Sequence, residues 1–269
     1  MLKSQEKPHR NSSTLFIGLK IAAILLIGLA VGFSIYNISS ETHNDTRLVE
    51  VKLIEKVSVP GQKISTILPD GTKVKLNSDS KLIVPEVFDA NQRVVELSGE
   101  AFFEVTENKG WPFIVKSGSM EVKVLGTSFN VRSYSDDKLL KVAVKTGKVE
   151  VMGIGEEEHT VTLLPNYIST WNPDKTSLTK SEISGPDKIF GWTEQQLVFE
   201  NESLPEVLNV LSRWYGLSFD DPANLAEDAK RKYTAKYKNP TIKQMMISLA
   251  HVYDFNYEIN ELENKITLK

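Results

Sequence analysis

The sequence predicts a single membrane-crossing helix followed by an all-β, sandwich-like domain and a small α+β domain. Three observations carry this reading. Leu15–Ile38 is a 24-residue run with one charged residue, Lys20. From Val57 to Trp171, short segments rich in β-branched residues alternate with charge and are separated by turn signals. Past Gly185-Pro186 the pattern changes to two helical repeats interleaved with short strands. With 269 residues, 41% hydrophobic and 25% charged, the chain can bury a core in about two domains. The expected divisions are 1–14 cytoplasmic segment, 15–38 transmembrane helix, 39–55 linker, 56–175 β-domain, 176–188 linker and 189–269 α+β domain.

About 20 apolar residues cross a bilayer core as a helix. Leu15, Ile21, Leu25, Val31 and Ile38 supply apolar surface; Lys20 snorkels toward one interface and Tyr36 anchors at the other. Lys3, Lys7 and Arg10 keep the N-terminus in the cytoplasm, so everything past Ile38 is exported. A cleaved signal peptide is the competing reading, since Ala30-Val31-Gly32 offers a small-residue cleavage site. Phe33, Ile35, Tyr36 and Ile38 continue the apolar character past that site, which favours the anchor.

In the β-domain, LPDGTKVKLN (Leu68–Asn77) places Pro69, Asp70 and Gly71 in a turn, with Thr72, Val74 and Leu76 then sharing one face and Lys73 and Lys75 the other. RVVELSGEAFFEV, PFIVKS, MEVKVLGTSFNVRSY, LLKVAVKTGKVEVMG and TVTLLPNYISTW continue the theme, so the domain reads as antiparallel throughout. Within LSGEAFFEV, Glu100 and Glu104 raise the question of paired catalytic acids. On a helix they would stand about 5–6 Å apart, close to a retaining glycosidase pair. The β-branched context and a turn at Ser98-Gly99 favour a strand instead, which separates them by roughly 13 Å and puts Glu100, Phe102 and Glu104 opposite Ala101, Phe103 and Val105.

Asn172–Lys188 is loop-like in composition. Beyond it, GWTEQQLVFEN reads as a strand. Asn201 or Ser203 caps a helix bearing Leu204, Val207, Leu208 and Leu211 that ends at Gly216. YTAKYKN is a strand, and Pro240-Thr241 opens a helix with Ile242, Met245, Met246, Leu249 and Val252. FNYEIN and KITLK close as a hairpin across Glu261–Asn264. The order is β-α-β, then β-α-β-β.

The chain has no cysteine, a formal charge of −3 and a pI near 5.9, which exclude disulfides and thiolate metal sites and argue against direct nucleic-acid binding. His9, His43, His159 and His251 lack metal-ligand spacing. Ser78-Asp79-Ser80-Lys81 and Lys145-Thr146-Gly147 fit two motifs of penicillin-binding proteins, but that serine should open a buried helix and both pieces lie among strands. Gly153-Ile154-Gly155 precedes three glutamates and reads as a solvated turn, not a phosphate cradle. Asn37, Asn44 and Asn201 begin N-x-S/T patterns. Trp192, Trp214, Tyr215 and Tyr237 read as core rather than a ligand platform. No catalytic constellation, metal site or cofactor is expected.

Three segments together resemble a known family. LPDGTKVKLNSDSKL, RVVELSGEAFFEV and PFIVKSGSMEVKVLGTSFNVRSY are similar, over about Lys56–Val151, to the periplasmic domain of the FecR family of membrane-bound anti-sigma factors and sigma regulators. The residues that match are Pro69, Asp70, Gly71, Gly99, Glu100, Phe102, Phe103, Gly126, Thr127, Phe129 and Asn130. From about Phe190 to Lys269 the chain resembles the C-terminal domain of Bacteroidetes-type members, which is similar in layout to the STN signalling domain of TonB-dependent receptors. Pro165-Asn166-Tyr167 stands where the family often has Pro-Gly, and Asn can hold the same left-handed turn.

The resemblance implies a non-enzymatic relay in the bacterial inner membrane: a TonB-dependent outer-membrane receptor contacts the periplasmic bulk, and a cytoplasmic extracytoplasmic-function sigma factor responds. Family members usually carry a helical sigma-binding region before the membrane helix, and Met1–Thr14 is too short to pack as one. The alternative is an envelope scaffold or binding protein without transcriptional output. The terminal strand, Lys265, Ile266, Thr267, Leu268 and Lys269, is expected at a free sheet edge to which a receptor segment adds by backbone hydrogen bonding.

Overall fold

The structure is a computed structural model that describes residues 23–35, 52–155, 159–222, 224–228 and 230–269. Helix α1 covers residues 23–35, with Leu25 and Val31 exposed on it. Among the described residues no helix is long and apolar enough to cross a membrane. Leu15, Lys20, Ile21, Tyr36 and Ile38 lie outside the described residues, as do His9, His43, Asn37, Asn44 and Glu156–Glu158. Val51–Lys269 forms a compact unit of its own.

Among the described residues, thirteen strands build the β-domain: β1 Leu53–Ser58, β2 Ile64–Ile67, β3 Lys73–Leu76, β4 Ser80–Pro85, β5 Arg93–Glu104, β6 Phe113–Ser117, β7 Met120–Val124, β8 Ser128–Ser133, β9 Leu140–Thr146, β10 Val149–Gly153, β11 His159–Leu163, β12 Tyr167–Asn172 and β13 Ser177–Glu182. One layer runs β1-β4-β5-β6-β7-β10-β11 and the other β2-β3-β5-β8-β9-β12-β13, so the long strand β5 belongs to both. Its first half pairs with β4 and β6, its second with β3 and β8. The change of layer falls at Gly99, whose φ is +102° and where a Cβ would sit 2.4 Å from the Ser80 hydroxyl. Only glycine fits there. Ser98-Gly99, read as a turn in the sequence, is therefore a bend inside one strand.

The antiparallel expectation is also corrected. Arg93–Glu96 runs parallel to Phe113–Lys116. After β5 has crossed into the second layer, the chain must return through Val105–Pro112 before it can rejoin the first, and it rejoins in the same direction. Arg93 pins that return, donating from Nε and Nη2 to the Trp111 carbonyl at 3.0 and 2.7 Å and from Nη1 to the Thr106 carbonyl at 3.0 Å. Inside the sandwich, Phe103 stacks on Phe129 with centroids 5.2 Å apart, and Val74, Leu76, Val122, Val144 and Trp171 fill the surrounding core. The alternation expected for Thr72–Leu76 holds, with the two lysines exposed. Two edge strands were not legible in the sequence: β1 begins inside the expected linker, and β13 occupies Ser177–Glu182 in the stretch read as loop.

The C-terminal domain comprises α2 Pro186–Phe190, a 3-10 turn Gly191–Glu194, β14 Gln196–Glu202, α3 Leu204–Tyr215, β15 Ser218–Asp220, α4 Leu225–Asp228, β16 Tyr233–Lys238, α5 Ile242–Tyr253, β17 Tyr257–Asn260 and β18 Lys265–Leu268. Ser203 opens α3, its backbone N–H donating to Glu206 Oε2 at 2.7 Å, and Gly216 ends it with φ +68°. Thr241 opens α5 through the matching box with Gln244. Leu204, Val207, Leu208 and Leu211 of α3 pack against Met245, Met246 and Leu249 of α5 and close over the strands. β14 pairs antiparallel with β16, while β15, β18 and β17 form a second small sheet in that order.

That order overturns the free-edge reading of Lys265–Lys269. β18 is the central strand, bonded in parallel to Ser218–Asp220 and antiparallel to Tyr257–Asn260. Lys269 and Asn256 also exchange both backbone hydrogen bonds at 2.8 and 2.9 Å. Both sides of the strand are occupied because the three-residue strand after α3, too short to register in the sequence, pairs with its outer side.

Candidate functional site

The eleven family-motif residues divide between two tasks. Pro69, Asp70, Gly71, Gly99, Phe103, Gly126, Thr127 and Phe129 build the sandwich. Asp70 and Arg93 form an ion pair at 2.7 Å with both side chains 1% exposed. Asp70 also accepts from the Thr72 backbone at 3.0 Å and hydroxyl at 2.7 Å, so the turn through Pro69 and Gly71 (φ +83°) is tied to the return connection that Arg93 holds. Gly126 lets the chain pass Glu107, where a Cβ would lie 2.6 Å from the Glu107 side chain. Thr127 donates to the Lys148 carbonyl at 2.9 Å.

Glu100, Phe102 and Asn130 face the other way, toward the C-terminal domain. Glu100 is 5% exposed although it stands on the outer face of β5. Its carboxylate accepts from Asn77 Nδ2 at 2.8 Å, Asn130 Nδ2 at 2.9 Å and Arg132 Nη1 at 3.3 Å. Asn130 spends its amide nitrogen on Glu100, and its Oδ1 accepts the indole N–H of Trp192 at 3.1 Å. Phe102 meets Phe190 edge-on at 6.0 Å, and Lys75 Nζ donates to the Thr193 carbonyl at 3.1 Å. The outer face of β5 is thus covered by α2 and the 3-10 turn after it.

A second contact gathers on the end of α3. The Gly61 N–H donates to the Arg213 carbonyl at 3.0 Å and to Ser78 Oγ at 2.7 Å, and Ser78 Oγ donates to the same carbonyl at 2.5 Å. Terminal helix carbonyls need such donors, and here another domain supplies them. Gly61 (φ +82°) and Gly216 (φ +68°) meet back to back: a Cβ on Gly61 would lie 2.9 Å from the Tyr215 carbonyl oxygen, and one on Gly216 would lie 2.6 Å from that of Pro60.

Charge completes the joint. Arg132 pairs with Asp137 at 2.7 Å, Arg213 pairs with Asp136, and both guanidinium groups lie over the Tyr134 ring, at 4.9 and 4.2 Å. Burial works against the charged form of Arg132, but the Glu100 and Asp137 carboxylates outweigh it and hold its pKa above the ordinary value. Burial, reinforced by Glu100, raises that of Tyr134, whose hydroxyl donates to the Ser78 carbonyl at 2.8 Å. Lys63 Nζ sits 3.4 Å from the centroid of the Trp214 ring. Burial draws its amine down to about 8, against the opposing pull of Glu100.

Sequence reasoning singled out Glu100, Asn130, Ser78 and the aromatics, yet it missed why they matter. Ser78 fastens the joint, while Lys81 pairs with Glu55 at 2.7 Å and Lys145 hangs 5.6 Å over the Phe102 ring. Trp192 is a joint residue; Trp214, Tyr215 and Tyr237 pack on the C-terminal core, as expected. Asn166 adopts φ +69° and holds its turn. Gly153 is buried against Trp171, where a Cβ would come within 2.4 Å of the indole ring, so it is not the solvated position expected. Lys63, Asp137 and Arg213 carried no motif and no periodicity that marked them, while Arg132 and Tyr134 lie in the family-like segment without a residue signal of their own. The carboxylates, amides and guanidinium groups of the joint named above are bonded within the chain, so the arrangement serves to fix one domain on the other.

Residues 55–150 match the family described as FecR protein, and residues 196–268 match the one described as FecR, C-terminal. Among curated proteins none matches the chain. Two crystal structures, each of a candidate anti-sigma factor from Parabacteroides distasonis, are similar to it. One is 31% identical with a TM-score of 0.69, covering 80% of this chain and 98% of its own. The other is 32% identical with a TM-score of 0.70, covering 81% and 98%. The residues of the joint lie within or between the two matched regions, and the chain belongs to the FecR family.

Proposed function

We propose that this protein is an anti-sigma regulator of the FecR type, anchored by a single N-terminal helix with its bulk in the periplasm. In this reading it relays the state of a TonB-dependent outer-membrane receptor to a cytoplasmic extracytoplasmic-function sigma factor. The observation that carries the proposal is the combination of both FecR regions in one chain with similarity, over 98% of their length, to candidate anti-sigma factors. The joint supplies a physical route. A partner bound to the C-terminal domain with different affinity for docked and undocked arrangements would shift their balance, and the β-domain would carry that shift toward the membrane. Such a relay needs binding surfaces and no catalytic step or cofactor.

Crosslinking of a C-terminally tagged chain in its native host, followed by membrane pull-down and mass spectrometry, tests the proposal. Recovery of a sigma factor together with a TonB-dependent receptor is the expected result. Envelope proteins alone would replace it with a scaffold role.

A further inference from the structure

We propose that the outer edge of β16 is a docking edge for an extended, acidic segment of a protein partner, which adds as a third strand to the β14–β16 ribbon. The inference requires a protein partner but not the sigma link.

The register decides which groups the edge offers. Asn239 N–H donates to the Gln195 carbonyl at 2.8 Å, and the ladder continues as Lys238↔Gln196, Tyr237↔Leu197, Lys236↔Val198 and Ala235↔Phe199. Bonded and non-bonded pairs alternate in an antiparallel ladder. The pairs at Tyr237 and Ala235 are therefore bonded inward, and the N–H and C=O of Lys236 and Lys238 turn to the other side. Among the described residues no strand pairs on that side and those four backbone groups make no hydrogen bond. Tyr233, Ala235 and Tyr237 pack on the core, while Thr234, Lys236 and Lys238 are exposed.

Charge selects the occupant. Lys230, Arg231 and Lys232 precede the strand and are exposed, so five cations fall within Lys230–Lys238. Lys236 is paired with Asp187, but this pair is exposed on both sides and such pairs contribute little. Lysines along a bare edge repel a second copy of the same strand and neutral strands gain nothing from them. An acidic strand gains both the backbone ladder and the charge.

The test uses the full chain in nanodiscs of zwitterionic lipid, with three fluorescent peptides of equal length: alternating Glu/Val, alternating Lys/Val, and the Glu/Val sequence interrupted by proline. Fluorescence anisotropy and amide hydrogen exchange are read together. The Glu/Val peptide is expected to bind best and to protect the amides of Lys236 and Lys238. The double variant Lys236→Glu, Lys238→Glu should weaken it about tenfold and favour the Lys/Val peptide. Equal binding of the proline-interrupted peptide, protection outside β16, or indifference to charge reversal would overturn the proposal. Protection of β16 by phosphatidylglycerol vesicles and not by any peptide would overturn it too, making the patch membrane-facing.

Discussion

Trp192 and Asn130, 62 positions apart, meet through a single hydrogen bond of 3.1 Å that joins the two domains, with both residues buried. Asn130 can accept from the indole only because Glu100 holds its amide nitrogen. Trp192→Phe keeps most of the ring but leaves Asn130 Oδ1 without a donor, which costs about 1–3 kcal/mol. For a chain of this size each kcal/mol shifts Tm by roughly 2–4 °C. Calorimetry of the full chain should show that drop, and an unchanged Tm would remove the bond from the joint.

Gly216 is the most sterically constrained residue at the end of α3. Gly216→Val adds a side chain where a Cβ alone lies 2.6 Å from the Pro60 carbonyl, at φ +68°. The C-terminal domain is expected to separate from the β-domain while each stays folded. Limited proteolysis should then cut faster between Glu182 and Phe190, where Phe190 no longer packs on Phe102. Global unfolding without a protected β-domain fragment would count against separation.

Asp70→Ala leaves Arg93 charged and buried, and removing one partner of a buried pair costs about 3–5 kcal/mol. Since Arg93 also pins the return to β6, loss of the β-domain's cooperative unfolding is expected in urea. A change below about 1 kcal/mol, the range of exposed pairs, would mean that the pair is not buried as described.

Lys63 sets a pH dependence. Its folded pKa of about 8 lies below the ordinary 10.5, so between those values the unfolded chain binds more protons and stability rises with pH. Above pH about 10 Tyr134 opposes the trend, because burial keeps it protonated in the folded state while the unfolded chain releases that proton. Stability should therefore climb from about pH 8 toward 10, and Lys63→Met should flatten the climb. An identical slope in the variant would assign it to another group.

Much of the fold was legible because the chain punctuates it locally. Turn chemistry at Asp70-Gly71, alternation at Thr72–Leu76 and the capping boxes at Ser203 and Thr241 each declare an element within four residues. What escaped is non-local. The parallel β5–β6 pair depends on where β5 changes layer, and β13 and β15 lack apolar alternation because one is an exposed edge and the other is three residues long. The joint escaped for the same reason: Glu100 looks solvent-facing on a strand, and its face is closed by Asn77, Asn130 and Arg132 together with Trp192 and Phe190, some ninety positions on.

The most direct measurement compares transcripts in the native host among strains carrying the wild-type chain, a deletion, and Trp192→Phe at matched membrane abundance. A defined set of genes is expected to shift on deletion, and Trp192→Phe should shift the same set part of the way. A transcript profile that deletion leaves unchanged, under conditions where the chain is expressed, would contradict a regulatory role.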